Sequence, residues 1–235
     1  MSGNDSVLPT AHYTVGPEQN SVKNTGEKGR NRARTAQNTH NERFKRRKRS
    51  LPKYLISKEK DALFRVIENP RDRAIFRLAY HHGLRASEIG LIQVKDWLRG
   101  TSLDMDRLLL RRLKGSIGGE TTLVNAAATA LRAWLRIRGF APGPMFPSRN
   151  HRPISRRRLD ELMKRYCRMA GIPEEKAHFH SLKHTCGTLL LSEQHESIVD
   201  VQKHLGHADI RNTMIYAQLT DEANRERAER LRDWR

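Results

Sequence analysis

The sequence predicts a mainly α-helical domain that carries a small antiparallel β-sheet. Apolar residues recur at helical spacing through most of residues 53–235. Two short runs, 107–113 and 121–124, flank a loop with three glycines, which is typical of a β-hairpin. The 183 residues of this part of the chain are enough for one domain with a hydrophobic core.

The predicted helices begin and end at recognisable local signals. Ser57 can cap the first helix. Asn69-Pro70 opens the second, because proline fits the first helical position, and Gly83 can adopt the left-handed conformation that ends it. The further predicted helices span residues 87–92, 126–138, 154–169, 181–193, 198–204 and 221–234.

Positive charge is spread over two parts of the chain. The 45 lysines and arginines exceed the 26 acidic residues, which gives a formal net charge of +19. Residues 1–52 lack periodic apolar positions and close with an unbroken basic run at 45–49, so we expect a disordered basic arm. A charge this large indicates a polyanionic partner, namely nucleic acid.

Several classes of protein do not fit the sequence. No apolar run approaches the roughly 18 residues of a membrane span, so no membrane association is expected. The first twenty residues do not resemble a secretion signal, and two cysteines do not make a disulfide framework, so we expect a cytoplasmic protein. The sequence has no phosphate-binding loop for ATP and no zinc motif, so we expect neither a cofactor nor a metal.

Four separated islands hold residues that could act on DNA. Arg85 stands at a helix junction, with Glu88 three residues on, and Lys114 stands at the mouth of the glycine-rich hairpin. The third island is His180-Ser181-Leu182-Lys183-His184-Thr185. The fourth spans residues 205–216 and contains His207 and Tyr216.

In this order and spacing, the islands resemble the tyrosine recombinase (phage integrase) family over roughly residues 57–220. The tripeptide Leu-Gly-His that ends at His207, with a tyrosine nine residues later, belongs to that pattern. The compact chain and the segments around Arg85 and Lys183 look similar to the small fimbrial-type DNA invertases of the family. The resemblance implies the catalytic-domain fold of tyrosine recombinases for residues 53–235.

The resemblance also implies an enzyme, a site-specific DNA recombinase of integrase or invertase type. It would cut and rejoin strands through a 3′-phosphotyrosyl intermediate, without metal or ATP. Tyr216 would be the nucleophile, Arg85 a forked clamp on the scissile phosphate, and Lys114 the proton donor to the leaving 5′-oxygen. The other matching positions around the phosphate are His180, Lys183 and His207. Cations, a nucleophile and a proton donor are what cleavage without metal requires.

Neighbouring residues have supporting interpretations. Glu88 would orient Arg85 from one helical turn away, and His184 is interpreted as a packing residue. A basic stripe on the predicted helix 154–169 is expected to contact DNA phosphates. Its members are Arg156, Arg157, Arg158, Lys164 and Arg165.

Two features depart from the family pattern. Lys183 stands where most members have a second clamping arginine, and lysine keeps the charge but loses the planar fork. Losing one positioned donor typically costs on the order of 10²–10³ in rate. Residues 1–52 are also too short and too polar for the separate core-binding domain that members commonly carry, so we expect none.

The expected partner is double-stranded DNA at specific short recombination sites. It would be held by a homotetramer, since recombination needs two duplexes and four cleavages. An alternative from another class is a DNA-binding regulator that keeps the fold but has impaired cleavage because of Lys183. A relaxing topoisomerase of related chemistry is a third interpretation.

Overall fold

The computed structural model describes residues 51–101, 105–113 and 117–232, without the side chains of residues 221–227 and 230. Lys114 and nearly all of the predicted arm (1–52) therefore lie outside the described residues. The helices are α1 (Ser57–Val66), α2 (Pro70–His81), α3 (Ala86–Leu91), α4 (Asn125–Arg138), α5 (Arg156–Met169), α6 (Ser181–Ser192), α7 (Ile198–Leu205) and α8 (Met214–Leu231). The strands are β1 (Trp97–Leu98), β2 (Arg107–Leu110) and β3 (Gly119–Thr122), and they pair antiparallel in that order. The predicted fold class is confirmed.

The first two helices each begin with a side chain that accepts a hydrogen bond from a backbone N–H, although one N-cap residue differs from the prediction. At α2, the side chain of Asn69 accepts a hydrogen bond from the backbone N–H of Asp72, as an N-cap does. At α1, the N-cap is Ile56 rather than Ser57, and the carboxylate of Glu59 accepts from the Ile56 N–H. Ser57 is instead the first helical residue, and its hydroxyl donates to Glu193.

Strand β2 has one buried and one exposed face. Leu108 and Leu110 are buried, while Arg107 and Leu109 are exposed, which is the alternation of a half-buried strand. Leu108 pairs with Thr121 of β3, and Leu110 pairs with Gly119 of the same strand. The same alternation directs residue 112, just beyond the strand, toward the interior.

The last helix begins earlier than its sequence suggests. We predicted a helix over 221–234, but α8 starts at Met214 and so includes Tyr216. Thr213 stands at its N-cap without making a side-chain cap bond, because its hydroxyl is hydrogen-bonded to His207. The start of α8 therefore lacks the local cap signal that marks α2.

Two apolar clusters lie within residues 51–232. The larger one contains Phe76, whose ring meets those of Tyr166 and Phe179 edge to face at centroid distances of 5.5 and 5.4 Å. The smaller one joins α6, α7 and α8 and includes Leu205 and Tyr216. None of the described helices has a stretch long and apolar enough to cross a membrane.

Candidate active site

Arg85 is held in place by Glu88 at the start of α3. Gly83 has φ of +55°, a left-handed conformation that lets the chain turn from α2 into Arg85, the N-cap of α3. The Arg85 Nη1 donates to Glu88 Oε1 at 2.7 Å, and the Arg85 backbone N–H donates to Oε2 at 2.9 Å. Glu88 is 2% exposed, and burial alone would raise its pKa. The hydrogen bonds and charge of Arg85 outweigh burial and hold the pKa below its ordinary value, so Glu88 is an anion that fixes the arginine.

Lys183 is buried and interacts electrostatically with both members of this pair. It lies in the first turn of α6, is 1% exposed, and its Nζ donates to the backbone carbonyl of Leu205 at 2.9 Å. Burial, aided by the positive charges of Arg85 and Arg112, lowers its pKa to about 7. At neutral pH the amine is therefore divided between its charged and neutral forms.

His207 follows the end of α7 through a left-handed glycine. Gly206 has φ of +62° and turns the chain so that the His207 imidazole is buried, with 6% of the residue exposed. Its Nδ1 lies 3.0 Å from the Thr213 hydroxyl. Burial, together with the charges of nearby Lys183 and Arg85, lowers the pKa of His207 to about 4, so the ring is neutral near pH 7.

Tyr216 lies in the first turn of α8, against two histidines. Its ring is parallel to that of His207 at 6.4 Å between centroids, and its hydroxyl is 3.2 Å from Nδ1 of His184. Tyr216 is 1% exposed, and burial raises its pKa above the ordinary value. Arg85 acts in the opposite direction, because its positive charge favours the phenolate. The phenol therefore lies within the electrostatic reach of the Arg85 guanidinium.

His180, the N-cap of α6, and His184, within that helix, lie side by side near Lys183. Their rings meet edge to face with centroids 4.5 Å apart. His180 is exposed, yet shielding of its ring by the protein and the charges of Lys183 and Arg85 lower its pKa to about 4. Sequence reasoning missed the contact of His184 with Tyr216. His184 lies four residues after His180, and residues at that spacing share one helix face. This spacing could have indicated that His184 also faces the site.

Arg112 is a second residue that sequence reasoning missed. Its side chain is only 5% exposed, and its guanidinium donates to the backbone carbonyls of His82, His204 and Leu205. The alternation of Leu108 and Leu110 places residue 112 on the inward face of the strand. A charged residue at an inward position was the signal in the sequence that could have identified Arg112.

The structure brings several predicted site residues together from distant parts of the chain. They are Arg85, Glu88, Lys183, His180, His207 and Tyr216. Lys114 lies outside the described residues, although Leu113 immediately before it directs its N–H toward Glu88 Oε1 at 3.4 Å. Within those residues, no group of three or more His, Cys, Asp or Glu side chains could hold a metal ion. A phenol, a clamped guanidinium, a buried amine and neutral imidazoles are groups that can bind a phosphate diester and attack it.

Comparison with known proteins identifies the family of the chain. The model of the phage integrase family matches residues 53–223. The chain belongs to this family of tyrosine recombinases. A "Tyrosine recombinase XerC" from Xylella fastidiosa (strain M23) is 36% identical over 177 residues, which cover 73% of this chain. This phage integrase family member spans 58% of the length of that relative.

Solved structures of tyrosine recombinases share the fold. XerA recombinase superposes with a TM-score of 0.64 at 25% identity, over 79% of this chain and 67% of that one. XerH site-specific recombinase, bound to its palindromic difH substrate in a post-cleavage complex, superposes with a TM-score of 0.64 at 24% identity. The match covers 76% of this chain and 53% of that one. The second likeness concerns the fold alone.

The buried histidines make a prediction about acid stability. The pKa of His82 is lowered to about 3, chiefly by burial, and its Nε2 has no hydrogen-bond partner among residues 51–101, 105–113 and 117–232. Between pH 6.5 and 4, the unfolded chain takes up protons on His82 and His207 that the folded chain does not. The contribution of these two groups to stability is therefore full above about pH 6.5, and it falls by up to about 1.4 kcal/mol per pH unit for each group as pH decreases.

Chemical unfolding at pH 7 and pH 5 measures this effect. The free energy of unfolding should be lower at pH 5. His82→Leu removes one of the several imidazoles whose pKa is lowered on folding, so the decline between pH 7 and pH 5 should be shallower by the contribution of that one group. Equal slopes for the variant and the natural chain would show that His82 does not bind protons differently on folding.

Proposed function

We propose that this chain is a site-specific DNA recombinase that cuts and rejoins strands through Tyr216. The observation that carries the proposal is that the Tyr216 phenol is buried against His184 and His207 while under the positive field of Arg85. A structural tyrosine elsewhere in the core, Tyr166, instead donates its hydroxyl to the carboxylate of Asp72. Family membership makes the nucleophilic role the best explanation of the difference.

The cleavage step would exchange one phosphate ester for another. The Tyr216 oxygen attacks phosphorus and forms the new P–O bond, while the bond to the 5′-oxygen breaks. The phenol proton leaves toward His184 Nδ1, which can accept a hydrogen bond when the ring is neutral. The 3′-phosphotyrosyl ester keeps the energy of the broken bond, so rejoining by a free 5′-hydroxyl of the partner strand needs no ATP.

Positive groups would stabilise the charge on the non-bridging oxygens. Arg85, anchored by Glu88, supplies a rigid planar fork. Lys183 would supply a second cation after exchanging the Leu205 carbonyl for the phosphate, and His180 and His207 would add hydrogen bonds. Lys114, on the hairpin beyond β2, would give its proton to the leaving 5′-oxygen, as the family resemblance implies.

Access of DNA to the phenol requires a movement. Tyr216 is 1% exposed, so a phosphate reaches its oxygen only if the start of α8 shifts outward. The preceding turn, Ile210–Asn212, has no buried residue and would move at small cost. We therefore place the conformational step of the reaction in the segment that joins His207 to Tyr216.

Helix α5 would contact the DNA backbone. Its five predicted contact residues are exposed, and Arg156 also acts electrostatically on His180 at the site. Arg157 and Arg158 both pair with Glu161, at 3.1 and 3.2 Å, so phosphate would have to compete with that carboxylate. The N-terminus of α5 borders a groove of about 720 Å³ with four arginines in its lining, which extends the positive surface. They are Arg71, Arg149, Arg152 and Arg158.

The proposed partner is double-stranded DNA with short recombination sites, in the cytoplasm. XerH recombinase is described bound to a palindromic difH substrate, and a DNA site of comparable type suits this chain's charge. Two duplexes and four cleavages require four phenols, so we propose a homotetramer on DNA. The basic arm (1–52) would add phosphate contacts whose strength falls steeply with salt.

A trapping experiment tests the proposal. Nicked duplexes tiled across the DNA that flanks the gene are incubated with the full chain in EDTA, and the products are separated under denaturing conditions. We expect a protein–DNA adduct that survives denaturation on at least one duplex. Failure of every duplex that binds the protein to form an adduct would contradict a recombinase.

A second candidate function is a DNA-binding regulator with impaired cleavage. The observation that favours it is that Lys183 replaces an arginine, is buried, and is bound to a backbone carbonyl rather than held toward solvent. A regulator would retain duplexes in gel shifts without forming an adduct from the natural chain. The trapping experiment therefore separates the two functions directly.

Gly187→Ala is expected to slow adduct formation. A Cβ at this position would lie 2.7 to 2.9 Å from three ring atoms of Tyr216, so either the phenol or α6 must shift. Overpacking of this kind costs about 1–3 kcal/mol, and a misplacement of about 1 Å can cost on the order of 10²-fold in rate. The adduct rate at saturating protein measures the effect, with DNA affinity as the control. A variant that reacts at the natural rate would show that the ring position is not critical.

A further inference from the structure

We infer that Arg112 is a positioning residue for strand cleavage, whose buried guanidinium ties together the segments that lead to Arg85 and His207. The inference rests on the proposed recombinase function and adds to it a residue outside the family's matching positions. Arg112 lies two residues before Lys114 in the sequence, and it reaches the backbone at the ends of α2 and α7.

The guanidinium of Arg112 binds three carbonyls at once. Its Nη1 donates to Leu205 O at 2.7 Å, and its Nη2 donates to His82 O and His204 O, both at 3.0 Å. Its Nη1 is also 3.9 Å from Glu88 Oε2, the carboxylate that holds Arg85. A planar group with five donors suits this set of acceptors, and a lysine at 112 would not span it.

The three carbonyls belong to the C-terminal ends of two helices. His204 and Leu205 close α7, and His82 is the C-cap of α2. Such carbonyls have no partner within their own helix and favour a positive charge. One side chain therefore satisfies the ends of both helices, and each end leads directly into a proposed phosphate ligand. Arg85 comes three residues after His82, and His207 comes two residues after Leu205.

Two glycines show how closely these segments pack. A Cβ at Gly206 would lie 2.6 Å from Arg112 Cδ and 2.8 Å from the carbonyl of Ile117. A Cβ at Gly83 would lie 2.2 Å from a methyl carbon of Leu205. The Ile117 N–H also donates to the Gly206 carbonyl at 3.1 Å, which ties the return of the hairpin to the turn before His207. The Arg112 side chain therefore leaves no room for a side chain at Gly206, and Leu205 leaves none at Gly83.

Arg112 also shares a hydrogen-bond acceptor with Lys183 and lowers its pKa. Both side chains donate to the same carbonyl, that of Leu205. The charged or titratable groups that interact with Lys183 are two arginines, Glu88, Cys186 and four histidines, namely Arg85, Arg112, His180, His184, His204 and His207. Because Arg112 is a cation that shares this acceptor, its charge favours loss of the proton from the amine of Lys183.

The experiment uses three variants of the full chain with the nicked duplex that traps the natural protein. Arg112→Met removes the charge and the hydrogen bonds at similar length, and Arg112→Lys keeps the charge. Arg111→Met is the matched control, because Arg111 is the adjacent residue and binds the buried carboxylate of Asp96 instead. The adduct rate at saturating protein is measured against pH, together with DNA affinity and thermal stability.

For Arg112→Met we expect a rate lower by about 10²-fold with DNA affinity nearly unchanged. The alkaline limb of its pH profile should move to higher pH, since Lys183 loses a positive neighbour, whereas Arg112→Lys should keep the limb and recover part of the rate. Arg111→Met should lose stability but react at the natural rate. Equal rates for folded Arg112→Met and the natural chain, or an equal loss in Arg111→Met, would overturn the inference. Absence of an adduct from the natural chain would instead overturn the proposed function itself.

Discussion

Tyr216→Phe is expected to abolish the covalent adduct while leaving DNA affinity nearly unchanged. Removing one oxygen removes the only atom that we assign to bond formation with phosphorus, and the ring can stay stacked on His207. The hydroxyl makes one hydrogen bond that the structure describes, to His184, so its loss should cost only about 1 kcal/mol of stability. Denaturing electrophoresis after incubation with the nicked duplex measures the adduct, and gel shift measures affinity.

Tyr166→Phe is the matched control for this variant. It also removes a buried tyrosine hydroxyl, but one that donates to Asp72 in the main core. It should lose some stability and keep the natural adduct rate. An adduct that persists in Tyr216→Phe would mean that another residue is the nucleophile.

Lys183→Met should reduce the adduct rate by on the order of 10²–10³, the typical cost of one positioned donor. The variant keeps much of the length and apolar volume of the lysine stem but cannot neutralise the phosphate. Because the pKa of Lys183 is about 7, the natural chain should also lose rate above that pH as the amine loses its proton. Single-turnover rates between pH 6 and 9 measure both effects.

Lys176→Met controls for the loss of a partly buried lysine. Lys176 pairs with Glu59 at 2.7 Å, away from the site, so its replacement should affect stability and not rate. Natural rates in Lys183→Met would mean that this lysine does not reach the phosphate and that Arg85 acts without a second cation from α6.

The elements of the fold that were predictable carry their own local signals. The sequence Asn69-Pro70 indicates the start of helix α2, and the structure has Pro70 as the first helical residue, as predicted, with Asn69 as the N-cap. Strand β1 could not be predicted, because the two residues Trp97–Leu98 are too few for an alternating pattern. The start of α8 was misplaced because Thr213 uses its hydroxyl on His207, a contact between residues brought together by the fold.

The candidate site was predictable as a set of residues and not as an arrangement. Sequence spacing identified Arg85 and Tyr216, but burial of the phenol depends on how α6 and α8 pack. The role of Arg112 depends on carbonyls 30 and 93 residues away along the chain, which no local pattern encodes. His184 was interpreted as packing, and its hydrogen bond to Tyr216 becomes visible only once the start of α8 is known.

Mapping the adduct to a residue tests the central claim most directly. The natural chain is trapped on the nicked duplex in EDTA, the DNA is trimmed by nuclease, and the protein is digested with trypsin. The peptide 212–225 contains Tyr216 as its sole tyrosine. We predict that this peptide carries the residual nucleotide as a phosphate ester on Tyr216. A nucleotide attached to any other peptide would contradict the account.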